Sequence, residues 1–300
     1  MNFVILDLEW NGAYSKKAKK FVNEIIEFGA VKVDEKLNII DTFSMLITPQ
    51  IGKKLNSRVA QLTKITEEEL MDSNNTYTHV LKCFKRFLGD CVLLTWGTSD
   101  ILTLMENNRY YLNDEKILFM TTYCNLQSYC EHCLNHHDKS RQMGLSTCAD
   151  ALGIDVEGLE LHRALDDAKL SLSCFEKLYN ENIIKEFIEI ANDEFYRKIS
   201  FKNTVVYDIK NPLIDKKEFY ICCEKCGRKA RRKTKWVMKN RSFRAQFRCN
   251  RCRRDFEGRL TFRLKYEGVT VDRRNVEVAK EKKIVAKKTF FSKFNNSKKE

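Results

Sequence analysis

The chain has 300 residues, of which 43% are hydrophobic and 32% charged, and a formal net charge of +13. That length suits one large domain or two ordinary ones, and no apolar run approaches the ~20 residues that a membrane-spanning helix needs. No basic stretch precedes the apolar residues 3–6, so they read as a core strand rather than an export signal, and a cytoplasmic protein with no membrane partner is expected.

Residues 3–9 form an apolar run that closes on Asp7 and Glu9, the pattern of a buried strand. Residues 24–33 and 37–47 follow as β-branched-rich strands joined through Asp34, Glu35 and Lys36 as a hairpin. Thr66 with Glu69 three residues later is a capping box, which starts a helix. Residues 77–88 are helical by the spacing of Val80, Leu81, Phe84, Phe87 and Leu88. Residues 91–95 make another buried strand, and Ser99 or Asp100 is expected to cap a helix beginning near Ile101. Residues 116–121 read as a strand, 125–134 as a helix, and 145–152 as a short helix stopped by Gly153. His162 leads into a helix over 163–179, striped by Leu165, Ala168, Leu172, Phe175 and Leu178. Strands first, then helices alternating with strands, give an α/β domain with a mixed central sheet over residues 1–197.

Beyond it, residues 198–218 are polar, hold Pro212 and read as a linker. Residues 219–267 form a strand-rich module framed by cysteines, and residues 268–300 read as a basic, partly disordered tail. The charge changes sign between the halves. Residues 1–200 carry 23 Lys/Arg against 30 Asp/Glu, a net of −7, and residues 201–300 carry 31 against 11, a net of +20. An appended module that holds a polyanion is expected, with nucleic acid as the partner.

The acids of the first half form a chemical set. Residues i and i+2 of a strand share a face, so Asp7 and Glu9 project together and repel each other unless a cation lies between them. Asp100 falls at a strand-to-helix corner, and Asp167 lies about one helical turn beyond His162. Acids gathered in this way can hold two Mg²⁺ or Mn²⁺ ions about 4 Å apart, and a neutral histidine beside them can take a proton from water. An Asp-x-Glu pair alone carries little information; Asp7, Glu9, Asp100, His162 and Asp167 together, in this order, suit a two-metal phosphodiesterase.

Three motifs carry a resemblance to a known family: Asp7 and Glu9 on the first strand, Leu94-Thr95-Trp96-Gly97-Thr98-Ser99-Asp100, and His162-Arg163-Ala164-Leu165-Asp166-Asp167-Ala168. Over residues 1–180 the chain resembles the DEDDh 3′–5′ exonucleases, the superfamily of RNase T and the proofreading subunit of bacterial polymerase III. The runs from Glu24 to Val31 and from Leu62 to Thr66 make it more similar to the Eri-type and KapD-type members. The resemblance implies a ribonuclease H-like exonuclease fold, release of nucleoside 5′-monophosphates from single-stranded 3′ ends, and RNA favoured over DNA. It also implies that Asp7 bridges both metals, Glu9 and Asp167 hold the water-activating ion, Asp100 holds the second, and His162 is the general base. Asp166 is out of register and reads as a helix-start acid. Two positions depart from the family: Trp10 follows Glu9 where a small residue is common, and Lys64 stands where a glycine is common. Trp10 is either a stacking platform for the terminal base or a core residue.

Cys223-x2-Cys226 and Cys249-x2-Cys252 form two knuckles that suit one structural Zn²⁺, with Gly227 supplying a tight turn after the first. The module resembles a zinc ribbon, and Cys222 is the spare thiol. Arg228, Arg231, Arg232, Lys233, Lys235, Arg251 and Arg253 around the knuckles are candidate nucleic-acid contacts. Cys130, Cys133, His136 and His137 look metal-like, but a helix there makes the cysteines packing residues. No small-molecule cofactor is expected. The alternatives are a DNA 3′–5′ exonuclease of repair or proofreading type, a non-catalytic nucleic-acid binder, and a ribbon that docks a protein.

Overall fold

In the computed structural model, residues 1–277 are described apart from 53, 137–141, 157 and 159–161. The chain divides into two units, Met1–Ser200 and Phe201–Glu300.

Strand β1 (Phe3–Ser15) is the axis of the first unit. It runs past the expected end at residue 9 because β2 (Lys20–Val33) pairs with it antiparallel from Phe3↔Val33 to Ser15↔Lys20, with a bulge between Glu9 and Trp10. β3 (Ile39–Leu46) pairs antiparallel with β2. Helices α1 (Ser57–Thr63), α2 (Glu67–Asp72) and α3 (Tyr77–Leu88) follow, and the capping box of Thr66 and Glu69 is present. β4 (Val92–Thr95) then pairs parallel with β1 and leads into α4 (Ser99–Leu112).

Residues 116–121 are not a strand, contrary to their composition. The strand is β5 (Thr122–Asn125), set by the parallel register Leu93↔Tyr123 against β4. Ile117 and Met120 are apolar because they are buried in the core on the way to it. Helices α5 (Leu126–Cys133), α6 (Leu145–Ala151), α7 (Ala164–Leu178) and α8 (Glu181–Phe187), strand β6 (Ile188–Ile190) and α9 (Asp193–Ile199) complete the unit. The sheet order is β3-β2-β1-β4-β5-β6, mixed as expected. Alternation along β1 divides the core. Val4, Leu6 and Leu8 pack with α3 and α4 on one face, and Phe3 and Ile5 pack with α5, α6 and α7 on the other.

The second unit has its own core of Phe243, Phe247, Phe256, Leu260 and Phe262. Its strands are β7 (Thr204–Val205), β8 (Arg231–Arg232), β9 (Val237–Lys239), β10 (Ser242–Cys249), β11 (Arg254–Lys265) and β12 (Gly268–Val276). Two boundaries therefore differ from the sequence reading. The linker over 198–218 contains β7, which pairs with β11, and the buried Val206 and Ile214, so part of it belongs to the module. The tail expected from residue 268 opens instead with β12, paired with β11 from Lys265↔Gly268 to Glu257↔Val276. Its alternation was hidden by Arg273 and Arg274. The rest of that tail, residues 278–300, lies outside the described residues. No helix among the described residues is long and apolar enough to cross a membrane.

Candidate active site and metal centres

The acids of the site come from three elements, β1, α4 and α7. β1 sets Asp7 and Glu9 two residues apart on one face, and β2 places Glu27 directly opposite Glu9. The corner before α4 is built on Gly97, whose φ is 82° and whose carbonyl accepts from the hydroxyls of Thr95 and Tyr123, each at 2.7 Å. Neither Ser99 nor Asp100 caps α4. Thr98 holds the cap position without a side-chain hydrogen bond, and Asp100, buried in the first turn, accepts the Leu8 backbone N–H at 3.1 Å. That bond ties α4 to β1 beside Asp7.

α7 supplies Asp167 in its first turn, with His162 two residues ahead of the helix. The seat of this helix depends on residues that the sequence reading did not assign to the site. Arg163 occupies the cap position without a side-chain cap, and the buried Glu27 does the work instead. Its carboxylate accepts from the Arg163 guanidinium at 2.8, 3.1 and 3.3 Å and from the Ala164 N–H at 3.1 Å, placing negative charge at the helix N-terminus. Gly29, next along the same face of β2, lets the two approach. A Cβ there would lie 2.0 Å from the Ala164 carbonyl carbon and from the Leu165 nitrogen. The signal in the sequence was Glu24 and Glu27 inside an apolar strand, since buried acids need partners. Glu24 finds its own in the N–H groups of Ile51 (2.8 Å) and Gly52 (3.1 Å) and the Tyr111 hydroxyl (2.7 Å), which fix the following loop.

His162 is exposed, with its backbone at φ 69°, and its N–H donates to Asp167 Oδ2 at 3.1 Å. Non-glycine residues seldom adopt this conformation, and such strain concentrates at functional positions. Ligand atoms of Glu9, His162 and Asp167 all lie within 4.8 Å of one another, and Asp7 and Asp100 stand close enough to perturb the same group. Burial raises the Asp7 carboxyl well above its ordinary range, and the charges of Asp100, Asp167, Glu9 and Glu27 raise it further. Glu9 is pushed up to about 8 by burial and by Asp167, Glu27 and Asp100, with Arg163 opposing. Burial lifts Asp100 to about 7 against the hydrogen bond from Leu8, and burial also raises Asp167. Buried carboxylates crowded in this way favour a cation among them, and an all-oxygen donor set with one nearby histidine suits Mg²⁺ or Mn²⁺.

Asp166 pairs with Lys169 at 2.9 Å, consistent with a helix-start acid. Trp10 is half-buried against the core beside α3 and α4. Lys64 is the C-cap of α1 at φ 57°, which explains why a glycine suits that position. Cys130 is buried in α5 and Cys133 half-buried, while His137 lies outside the described residues.

In the second unit the sulfurs of Cys223, Cys226, Cys249 and Cys252 lie within 4.8 Å of one another, with Cys226 and Cys249 at 3.6 Å. A tetrahedron of thiolates around Zn²⁺ has S···S edges of about 3.8 Å, so the set fits that ion. Gly227 follows the first knuckle at φ 69°; Arg253 takes the equivalent place after the second at φ 52°. The Cys252 N–H donates to Cys249 Sγ and helps bring that thiol down to about 7. Cys222 is exposed, outside the set. Arg228, Arg231, Arg232, Lys233, Lys235, Arg251 and Arg253 are all exposed; Lys233 pairs with Asp255 at 3.4 Å, and Arg232 lies over the Trp236 ring at 5.8 Å. Phe243, Phe247 and Phe256 are buried in the module core and are not base platforms.

Comparison with known proteins places this geometry in a family context. The profile of the exonuclease family RNase_T matches residues 4–175. The chain is 26% identical over 217 residues to DNA polymerase III PolC-type of Thermotoga petrophila, covering 70% of this chain and 14% of that one. It is 27% identical over 194 residues to the probable 3′-5′ exonuclease KapD of Bacillus subtilis, covering 63% and 88%. The nuclease domain of 3'hExo, a DEDDh family member bound to rAMP, superposes with a TM-score of 0.50 at 25% identity, covering 59% of this chain and 90% of that one.

Proposed function

Because the chain belongs to the RNase T family of exonucleases, we propose that it shortens single-stranded nucleic acid from the 3′ end, releasing nucleoside 5′-monophosphates, with RNA preferred. The observation that carries this is the convergence of Asp7, Glu9, Asp100 and Asp167, their carboxyls raised by burial and mutual repulsion, beside His162. These four acids are the residues that would hold two Mg²⁺ or Mn²⁺ ions. Bound there, the ions supply a clamp for the scissile phosphate and a more acidic water. His162, exposed beside Glu9 and Asp167, takes the proton from the attacking water. Glu27 and Arg163 hold α7 so that His162 and Asp167 stay in place. A relative bound to rAMP supports RNA; the PolC-type relative favours the second reading, DNA 3′ ends.

In the second unit, Cys223, Cys226, Cys249 and Cys252 hold one structural Zn²⁺, and the surrounding cations hold the substrate strand. The chain works in the cytoplasm, where thiols stay reduced. The test is to incubate 5′-labelled single-stranded RNA and DNA with Mg²⁺ or Mn²⁺. A ladder shortening from the 3′ end is expected, with RNA cut faster and Asp7→Ala slower by at least about a hundredfold. Internal cleavage products, or an unaffected Asp7→Ala, would sink the proposal.

A further inference from the structure

The solvent face of the sheet in the second unit carries a row of like charge that the zinc knuckles do not explain. Register places Arg244 opposite Arg259, and Arg259 opposite Arg274, so three arginines stand abreast across β10, β11 and β12. Neighbouring strands are about 4.8 Å apart, and like charges directly opposite one another destabilise a sheet. Arg241 and Arg263 join this row around a shallow cavity of about 270 Å³. Acidic compensation is partial: Glu257 lies 2.6 Å from Arg259 and 3.6 Å from Arg244, and Asp272 lies 3.0 Å from Arg274. Five arginines thus face two acids.

A second observation points the same way. Asn240 and Arg241 form the two-residue turn between β9 and β10, with φ of 48° and 60°. A turn with both residues at positive φ favours glycine in its second position. Arginine is there at a conformational cost, and it adds a cation beside the row.

We propose that this arginine row is a binding track for the phosphate backbone of a single nucleic-acid strand, separate from the cations around the zinc knuckles. The proposal rests on the reading of the chain as a nuclease and names where its substrate is held. Guanidinium groups match phosphate oxygens two at a time, and a polyanion laid across the three strands relieves the repulsion that the bare sheet carries.

The test is binding of a labelled 30-nucleotide single-stranded RNA to the full-length chain carrying Asp7→Ala, across a range of KCl concentrations. Each phosphate contact contributes about 0.7 to the slope of log affinity against log salt for a single strand. R244Q/R259Q/R274Q is therefore expected to lower the slope by ~2 and weaken binding at least tenfold, on the order set by lost phosphate contacts. The same change of charge at Lys36, Lys82 and Lys177 should leave the slope unaltered. On the chain with its arginines intact, photocrosslinking of 4-thiouracil RNA should label peptides of β10 to β12, a readout independent of whether the triple variant folds. An unchanged slope in the triple variant, an equal loss in the lysine control, or crosslinks confined to the first unit would each overturn the track. Displacement of the RNA by poly-L-glutamate as effectively as by unlabelled RNA would overturn it too, in favour of an acidic protein. Binding with the expected slope but no hydrolysis by the unsubstituted chain would leave the track standing and remove the proposed activity.

Discussion

Asp7, Glu9 and Asp100 hold protons more tightly than surface carboxylates because they are buried and share one small volume. The sign of the consequence follows from proton linkage. Between the ordinary carboxylate range near ~4 and the value of about 8 at Glu9, the folded chain binds more protons than the unfolded one, so metal-poor stability falls as pH rises through that window. A divalent ion takes the place of those protons. The thermal midpoints with and without Mg²⁺ should therefore coincide near pH 5 and separate by pH 8, the Mg²⁺ sample melting higher; a gap independent of pH would contradict this. That these residues gather in one place was legible in the sequence, because acid type, order and spacing mark them. Their raised proton affinity was not, because it arises from burial and from the charges that the fold brings beside them. Glu27 went unassigned for a related reason: an acid in a strand reveals its partner only after Arg163 has been folded against it.

The critical element is α7, and its distance from β2 decides where Asp167 and His162 stand. Gly29→Ala puts a Cβ 2.0 Å from the backbone at the helix start, which cannot be relieved by a side-chain rotation. The helix must move outward. Stability should fall by about 1–3 kcal/mol, as for other overpacked sites. Displacing catalytic groups by around 1 Å can cost roughly a hundredfold in rate, so kcat should drop by about that factor. Urea denaturation and single-turnover cleavage would measure both, and a variant with normal kcat would show that α7 is not held by this contact. The apolar stripe of α7 announced the helix, since periodicity says which face is buried. It does not say how close the backbone comes to a neighbouring strand. Residues 116–121 failed for the converse reason: Ile117 and Met120 are buried without pairing, and composition alone cannot tell such a segment from a strand.

At the scale of the whole molecule each unit has its own core, and among the described residues the set of four thiols within metal-binding distance of one another lies in the second. With Zn²⁺ held as proposed, a strong chelator should unfold the second unit while leaving Met1–Ser200 folded. Amide exchange would show it: protection lost in β10, β11 and β12, and retained in β1, β2 and β4. Simultaneous loss in both would mean that the first unit depends on the second. The gathering of Cys223, Cys226, Cys249 and Cys252 was legible from their fixed spacing. β12 was not, because Arg273 stands on its inner side, donating to the Glu218 and Tyr220 carbonyls, and interrupts the apolar alternation there. Among the described residues, every strand pairs within its own unit. Under the proposed function, a strand held by one unit and cut by the other is a tethered substrate, meeting the carboxylates at an effective concentration rather than that of the bulk solution.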